Sequence, residues 1–92
     1  MTSRDVVIKN RLGLHARAAA KFVHAATRFK SHVRVGRDGR TMDGKSIMGI
    51  LLLAAAFGMT ISVSADGEDE VDAVNTLCQL VESGFGEETW NG

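Results

Sequence analysis

The sequence predicts an α+β domain in which one antiparallel β-sheet carries helices on a single face. Three observations predict it. The chain has 92 residues, 45% of them hydrophobic, enough for one core and too few for two domains. Its β-type segments alternate apolar and polar residues, the pattern of strands with one covered and one open face. The segments run β-α-β-β-α-β-α, an order in which strands do not simply alternate with long helices.

The first strand is expected over Arg4 to Lys9, with Val6 and Ile8 on the buried side. "NRLG" turns the chain. From Ala16 to Phe29 the apolar residues Ala19, Phe22, Val23, Ala26 and Phe29 recur at helical spacing. "SHVRV" alternates and reads as a strand. In "GRDGR" the pair Asp38-Gly39 marks a tight hairpin, because both residues tolerate φ > 0. Arg40 to Asp43 forms the return strand. Ser46 is a natural N-cap for a short helix weakened by Gly49, within an apolar stretch that Gly58 ends. "MTISVSAD" is a strand with Ile61, Val63 and Ala65 inward. The last helix runs from about Asp69 to Ser83, with Val71, Val74, Leu77, Cys78 and Val81 on its buried face and Gly84 as the residue that ends it. The packed core is expected over residues 4–84, with 85–92 as a tail.

Composition narrows the function classes. No apolar run reaches the ~18 residues that span a bilayer, and "MTSRDVV" shows no signal-peptide apolar region, so a cytoplasmic protein without membrane insertion is expected. Cys78 is the single cysteine, and no histidine lies four residues from another, so neither a disulfide nor a metal site is expected. All eleven lysines and arginines lie between Arg4 and Lys45, whereas eight of the eleven acidic residues lie from Asp66 onward. A basic first half suits nucleic acid, an acidic protein or a phosphate, or it is one of two solvated surfaces that neutralise each other after folding. Nucleic acid is disfavoured, because the aromatics there, Phe22 and Phe29, belong to the expected core.

The start of the first helix breaks local rules. From Arg11 to Ala26 there is no Ser, Thr, Asp, Asn, Glu or Gln, so no side-chain oxygen is at hand to cap it. His15 takes the N-cap position, where histidine is not preferred, and Arg17 adds positive charge at the positive end of the dipole, which costs ~0.3–1 kcal/mol. The last helix, by contrast, opens on Glu68, Asp69, Glu70 and Asp72. An anion would repair both faults, held by free N–H groups and by Arg17. His15 then either binds that anion as imidazolium or is a nucleophile that becomes phosphorylated. The dipole disfavours imidazolium and so favours the second role. A third reading stays open, in which water caps the helix and His15 is merely exposed.

"GLHARAAAKFV", followed thirty residues later by "KSIMGI" and then by "ISVSADGEDE", resembles the HPr family, the histidine phosphocarrier proteins of the bacterial phosphoenolpyruvate-dependent phosphotransferase system. The resemblance runs from about Val6 to Gly84. It implies an open-faced β-sandwich, a four-stranded antiparallel sheet with three helices on one face. It implies that His15 carries a phosphoryl group on Nδ1, with the amides near Ala16 and Arg17 facing it and the Arg17 side chain offsetting its charge. The donor would be phosphorylated enzyme I and the acceptor an IIA-type protein. The protein would be a carrier without turnover of its own, requiring no cofactor. The sequence leaves the oligomeric state open, with a monomer the default for a donor that must meet several partners in turn. Ser46 matches the site modified by HPr kinase/phosphorylase. Ile47, Met48 and Leu51, with Ala20 and His24 beside them, match the family's apolar docking patch, although by spacing alone the first three are ordinary core residues. The alternative is a regulatory or nitrogen-branch module, whose phosphorylation state controls partners rather than sugar transport. The family usually has proline where Ala18 stands, which leaves the first helical turn less constrained.

Overall fold

The structure, a computed structural model describing residues 1–87, contains β1 (Thr2–Val7), α1 (Ala16–Ala26), β2 (His32–Arg37), β3 (Arg40–Asp43), α2 (Ile47–Leu52), β4 (Thr60–Asp66) and α3 (Glu70–Glu82). The strands form one sheet in the order β1-β4-β2-β3, and every neighbouring pair is antiparallel. The predicted element order and α+β sandwich are therefore observed. β2 and β3 form an edge hairpin through Asp38 and Gly39, both at positive φ, as a type I′ turn requires. β4 returns to lie between β1 and β2, so its register sets which side chains meet the helices.

That register is set by alternation. Ile61, Val63 and Ala65 of β4 are buried, level with Val6 of β1 and with Val33 and Val35 of β2. Ser62 and Ser64 point to the open face. The helices close the covered face with Ala18, Ala19 and Phe22 of α1, Ile50 of α2, and Ala73, Val74, Leu77, Cys78 and Val81 of α3. Each large apolar side chain so buried contributes about 1.5–3 kcal/mol of transfer free energy.

Several expectations need correction. Val71, assigned above to the buried face of the last helix, is 57% exposed, and Ala73 takes the inner position one turn before Leu77. α1 ends at Ala26, short of Phe29. α2 is short, as expected, and ends at Leu52, with Ala54 in the left-handed region at φ 51°. The acidic opening of α3 does not cap its own helix. Asp69 instead accepts hydrogen bonds from the Lys30 amide at 2.9 Å, the Ser31 amide at 3.0 Å and the Ser31 hydroxyl. It thereby ties α3 to the turn that follows α1.

The largest correction concerns the chain end. The sequence predicts a tail over residues 85–92, yet Phe85 is 1% exposed within the core. Gly84 ends α3 at φ 70°, as expected of a C′ residue, and Phe85 follows at φ 57° in a short turn over Gly84–Gly86. The Lys21 ammonium donates to the Phe85 carbonyl at 2.7 Å, fastening this turn to α1. The rest of the expected tail, 88–92, lies outside the described residues.

Candidate functional site

α1 opens without a preferred cap, as the sequence indicates, and the loop before it explains where its first residue goes. Gly13 stands at φ +68°, and a Cβ on it would lie 2.6 Å from the Ala55 carbonyl oxygen and 2.9 Å from Ala56 Cα. A side chain is excluded both by conformation and by space. The closeness has a purpose, because the Leu14 amide donates to that same Ala55 carbonyl at 2.9 Å. Leu14 is buried, and His15 emerges directly after it as the N-cap residue, extended at φ −77° and ψ 179°.

Both ring nitrogens of His15 are engaged. Nδ1 accepts the Arg17 amide hydrogen at 3.3 Å, a long bond that caps weakly. Among the described residues no side-chain oxygen caps this helix end. Nε2 faces the Glu87 carboxylate, 2.8 Å from Oε2 and 3.0 Å from Oε1. An amide can donate only to an unprotonated nitrogen, so this arrangement is satisfied by the tautomer with hydrogen on Nε2 and a lone pair on Nδ1. Glu87 is braced in turn by Asn10, whose Nδ2 donates to its Oε1 at 3.1 Å and to the Gly13 carbonyl at 2.8 Å. The hydrogen bond from His15 holds the Glu87 carboxyl below the usual glutamate range. Partial burial pushes it the other way, and the Asn10 amide adds to the lowering.

His15 lines a pocket of about 740 Å³ together with Arg11, Leu12, Ala16, Arg17, Lys21, Gly86 and Glu87. Three cationic side chains thus share the pocket with one carboxylate. His15 keeps 27% of its side chain exposed. The structure brings His15, Ala16 and Arg17 together, as read from the sequence. Ser46 caps α2, its hydroxyl accepting the Gly49 amide at 3.1 Å. Ile47 and Met48 beside it are 44% and 66% exposed, whereas Leu51 is half-buried against the core. Ala20 and His24 line a separate apolar groove between α1 and α3, rimmed by Arg17, Lys21 and Arg28.

Sequence reasoning missed Glu87, Asn10, and the exposed Leu12 and Leu52, which are 66% and 51% exposed. One signal for the first was present. A phenylalanine between two glycines after a helix suits a left-handed cap whose hydrophobic residue packs back on the last turn. That would have placed Glu87 beside the body of the protein.

A four-stranded antiparallel sheet roofed by three helices, with an imidazole at the start of the first, defines an open-faced α+β sandwich. The particular class follows from comparison. Residues 2–83 match the family model described as the PTS HPr component phosphorylation site, and the chain belongs to the HPr family. It is 48% identical over 87 residues to the phosphocarrier protein HPr of Cupriavidus necator, covering 95% of this chain and 98% of that one. It superimposes on the crystal structure of HPr-C-His from Thermoanaerobacter tengcongensis with a TM-score of 0.92, at 45% identity, over 96% of this chain and 99% of the other. A second structure from that organism, described as an HPr dimer, matches at a TM-score of 0.76, with 45% identity over 95% and 100% of the two chains.

Proposed function

We propose that this chain is a phosphocarrier whose His15 accepts a phosphoryl group on Nδ1 from phosphorylated enzyme I and passes it to an IIA-type protein. One observation carries the reading: His15 directs the lone pair of Nδ1 at the weakly capped start of α1, with its other nitrogen occupied by Glu87. A neutral ring nitrogen is a competent nucleophile. The helix-start amides at Ala16 and Arg17 suit the oxygens of the incoming group, and the Arg17 side chain offsets its charge. The protein turns nothing over alone. It acts in the cytoplasm, as a monomer that meets its partners in turn.

In the accepting step the Nδ1 lone pair attacks phosphorus, and in the donating step a lone pair of the acceptor does. The N–P bond of the donor breaks, and its electron pair returns to the donor nitrogen. Donation to the acceptor reverses this, with the Nδ1–P pair returning to His15. Docking is assigned to Ile47 and Met48, with Leu51, Ala20 and His24 contributing less area. Incubation with phosphoenolpyruvate and enzyme I should attach an acid-labile, base-stable phosphoryl group that His15→Ala abolishes. A label that persists in the variant defeats the proposal.

A regulatory reading is favoured by one observation: the Ser46 hydroxyl sits at a helix start beside exposed Ile47 and Met48. Phosphate there, added by an HPr kinase/phosphorylase, would be tolerated by the helix end and would place about two negative charges on the docking surface. Ser46→Asp should weaken partner binding if this holds, and equal affinity for both forms would dismiss it.

A further inference from the structure

We propose that Glu87 is a positioning residue for phosphoryl transfer: its carboxylate keeps a proton on Nε2 of His15 before and after Nδ1 is phosphorylated. The inference rests on His15 being the phosphoryl carrier and assigns a role to a residue outside the family-matched segment, which ends at residue 83.

The argument begins with the geometry. Both carboxylate oxygens lie within 3.0 Å of Nε2, so the ring cannot turn to present Nε2 outward without abandoning them. Before transfer, the Nε2 hydrogen fixes Nδ1 as the nitrogen with the lone pair, and the Arg17 amide marks the same face. Orientation of an imidazole by a carboxylate on its far nitrogen is a recurrent device in nucleophilic sites.

The second half concerns the phosphorylated ring. When Nδ1 forms its bond to phosphorus with hydrogen still on Nε2, the ring becomes cationic. Departure of the phosphoryl group from that ring leaves neutral imidazole. If the Nε2 proton is lost first, departure must leave an imidazolate, a far poorer leaving group. A carboxylate against Nε2–H favours the cationic ring. The other charged groups around the ring all oppose a cation: Arg17 and Lys21 from α1, Arg11 from the preceding turn, and the positive end of α1 itself. Glu87 is the acidic side chain that faces the ring among the described residues.

The fold spends structure on holding this one side chain. Phe85 anchors the turn in the core, Lys21 grips its carbonyl, and Asn10 donates to Glu87 Oε1. Asn10 is wholly buried and its Oδ1 has no hydrogen-bond partner among the described residues, while both of its other contacts serve the His15 loop and Glu87. A buried amide left half-satisfied is uncommon and asks for a reason.

Glu87→Gln is the discriminating variant. Its amide oxygen still accepts from Nε2–H or from Asn10, so packing is kept while the charge is lost. His15→Ala run alongside tests the carrier reading separately. The full chain is phosphorylated with enzyme I, and transfer to a IIA protein is followed across pH, with ring nitrogens read by 15N NMR. The expected result is that Glu87→Gln accepts label, yet the alkaline fall in its donor rate moves about one pH unit toward acid. At a pH on that limb it transfers about tenfold more slowly, and the Nε2–H tautomer loses population. A pH profile and tautomer signal identical to the parent would overturn the role of Glu87 while leaving His15 as carrier. Labelling that survives His15→Ala would instead remove the carrier reading.

Discussion

Replacing Phe85 by alanine tests whether the segment after α3 belongs to the fold. The ring is 1% exposed and sits among α1 and α3 side chains of the core. Removing a buried phenylalanine ring costs about 3–5 kcal/mol, counting transfer and the cavity left behind. Residue 85 has φ 57°, a strained value that alanine and phenylalanine share, so the backbone cost cancels. A domain of this size is stable by on the order of 5–14 kcal/mol, so the loss is at least about a fifth of the total. Urea unfolding reads it directly. With a slope of about 1–2 kcal/mol/M, the midpoint should fall by at least about 1.5 M at unchanged slope. Val71→Ala serves as the comparison: the side chain is 57% exposed, and its change should stay within about 0.5 kcal/mol. If Phe85→Ala shifts the midpoint no more than Val71→Ala does, the ring is not in the core. The delivery of Glu87 to His15 would then need another cause.

Other substitutions probe single features. Gly13→Ala must place a Cβ against the Ala55 carbonyl in a left-handed backbone, and should lose at least about 1–2 kcal/mol in a thermal melt together with phosphoryl acceptance by the displaced His15. Ser46→Ala removes the bond to the Gly49 amide and should cost about 0.5–2 kcal/mol by chemical denaturation, without affecting acceptance at His15. Ala54→Gly relieves a positive φ at an exposed position after α2, and calorimetry should show a gain of roughly 0.5–1 kcal/mol. Asp69 is held below the usual aspartate range by the Ser31 hydroxyl first and the Lys30 amide next. A lowered folded value stabilises above the unfolded range, about pH 4, and that stability is lost as pH falls through the folded value. Acid titration should therefore bring Asp69→Asn and the parent together in stability toward low pH.

Local signals carried the strands, the hairpin and the helix starts, because each is written within a few neighbouring residues. Alternation placed Ile61, Val63 and Ala65 inward, and Asp38-Gly39 specified its own turn. The failures came where a side chain answers a distant partner. Asp69 looked like a helix cap and instead serves a turn 38 residues earlier. Val71 fitted a helical stripe, yet in the first turn of α3 it is 57% exposed and the small Ala73 is the residue turned inward. Glu87 reaches His15 across 72 residues of sequence, a separation that no periodicity or motif spacing encodes. Of the site, His15 and Arg17 were legible because they violate helix-start preferences. Asn10 and Glu87 violate nothing local; the only trace of Glu87 is indirect, in the glycine-flanked phenylalanine that turns the chain back after α3.

The two halves of the site explain each other. A serine or aspartate at position 15 would cap α1 from its own side chain and fill the space over the first amides. An imidazole caps them poorly, through a 3.3 Å bond to Nδ1, and so leaves that end receptive to a stronger acceptor. The helix loses some stability by this arrangement, and the carboxylate that orients the ring cannot come from the first turn without occupying those same amides. It has to come from elsewhere in the chain and act on the far nitrogen. A turn anchored by a buried phenylalanine after α3, and gripped by Lys21 of α1, meets that requirement. On this argument, moving the acid into α1 as His15's neighbour, by Ala16→Glu with Glu87→Gln, should raise helix stability by a few tenths of a kcal/mol and still impair phosphoryl acceptance. Undiminished acceptance in that double variant, measured with enzyme I and phosphoenolpyruvate, would show that the side of the ring from which the carboxylate acts does not matter.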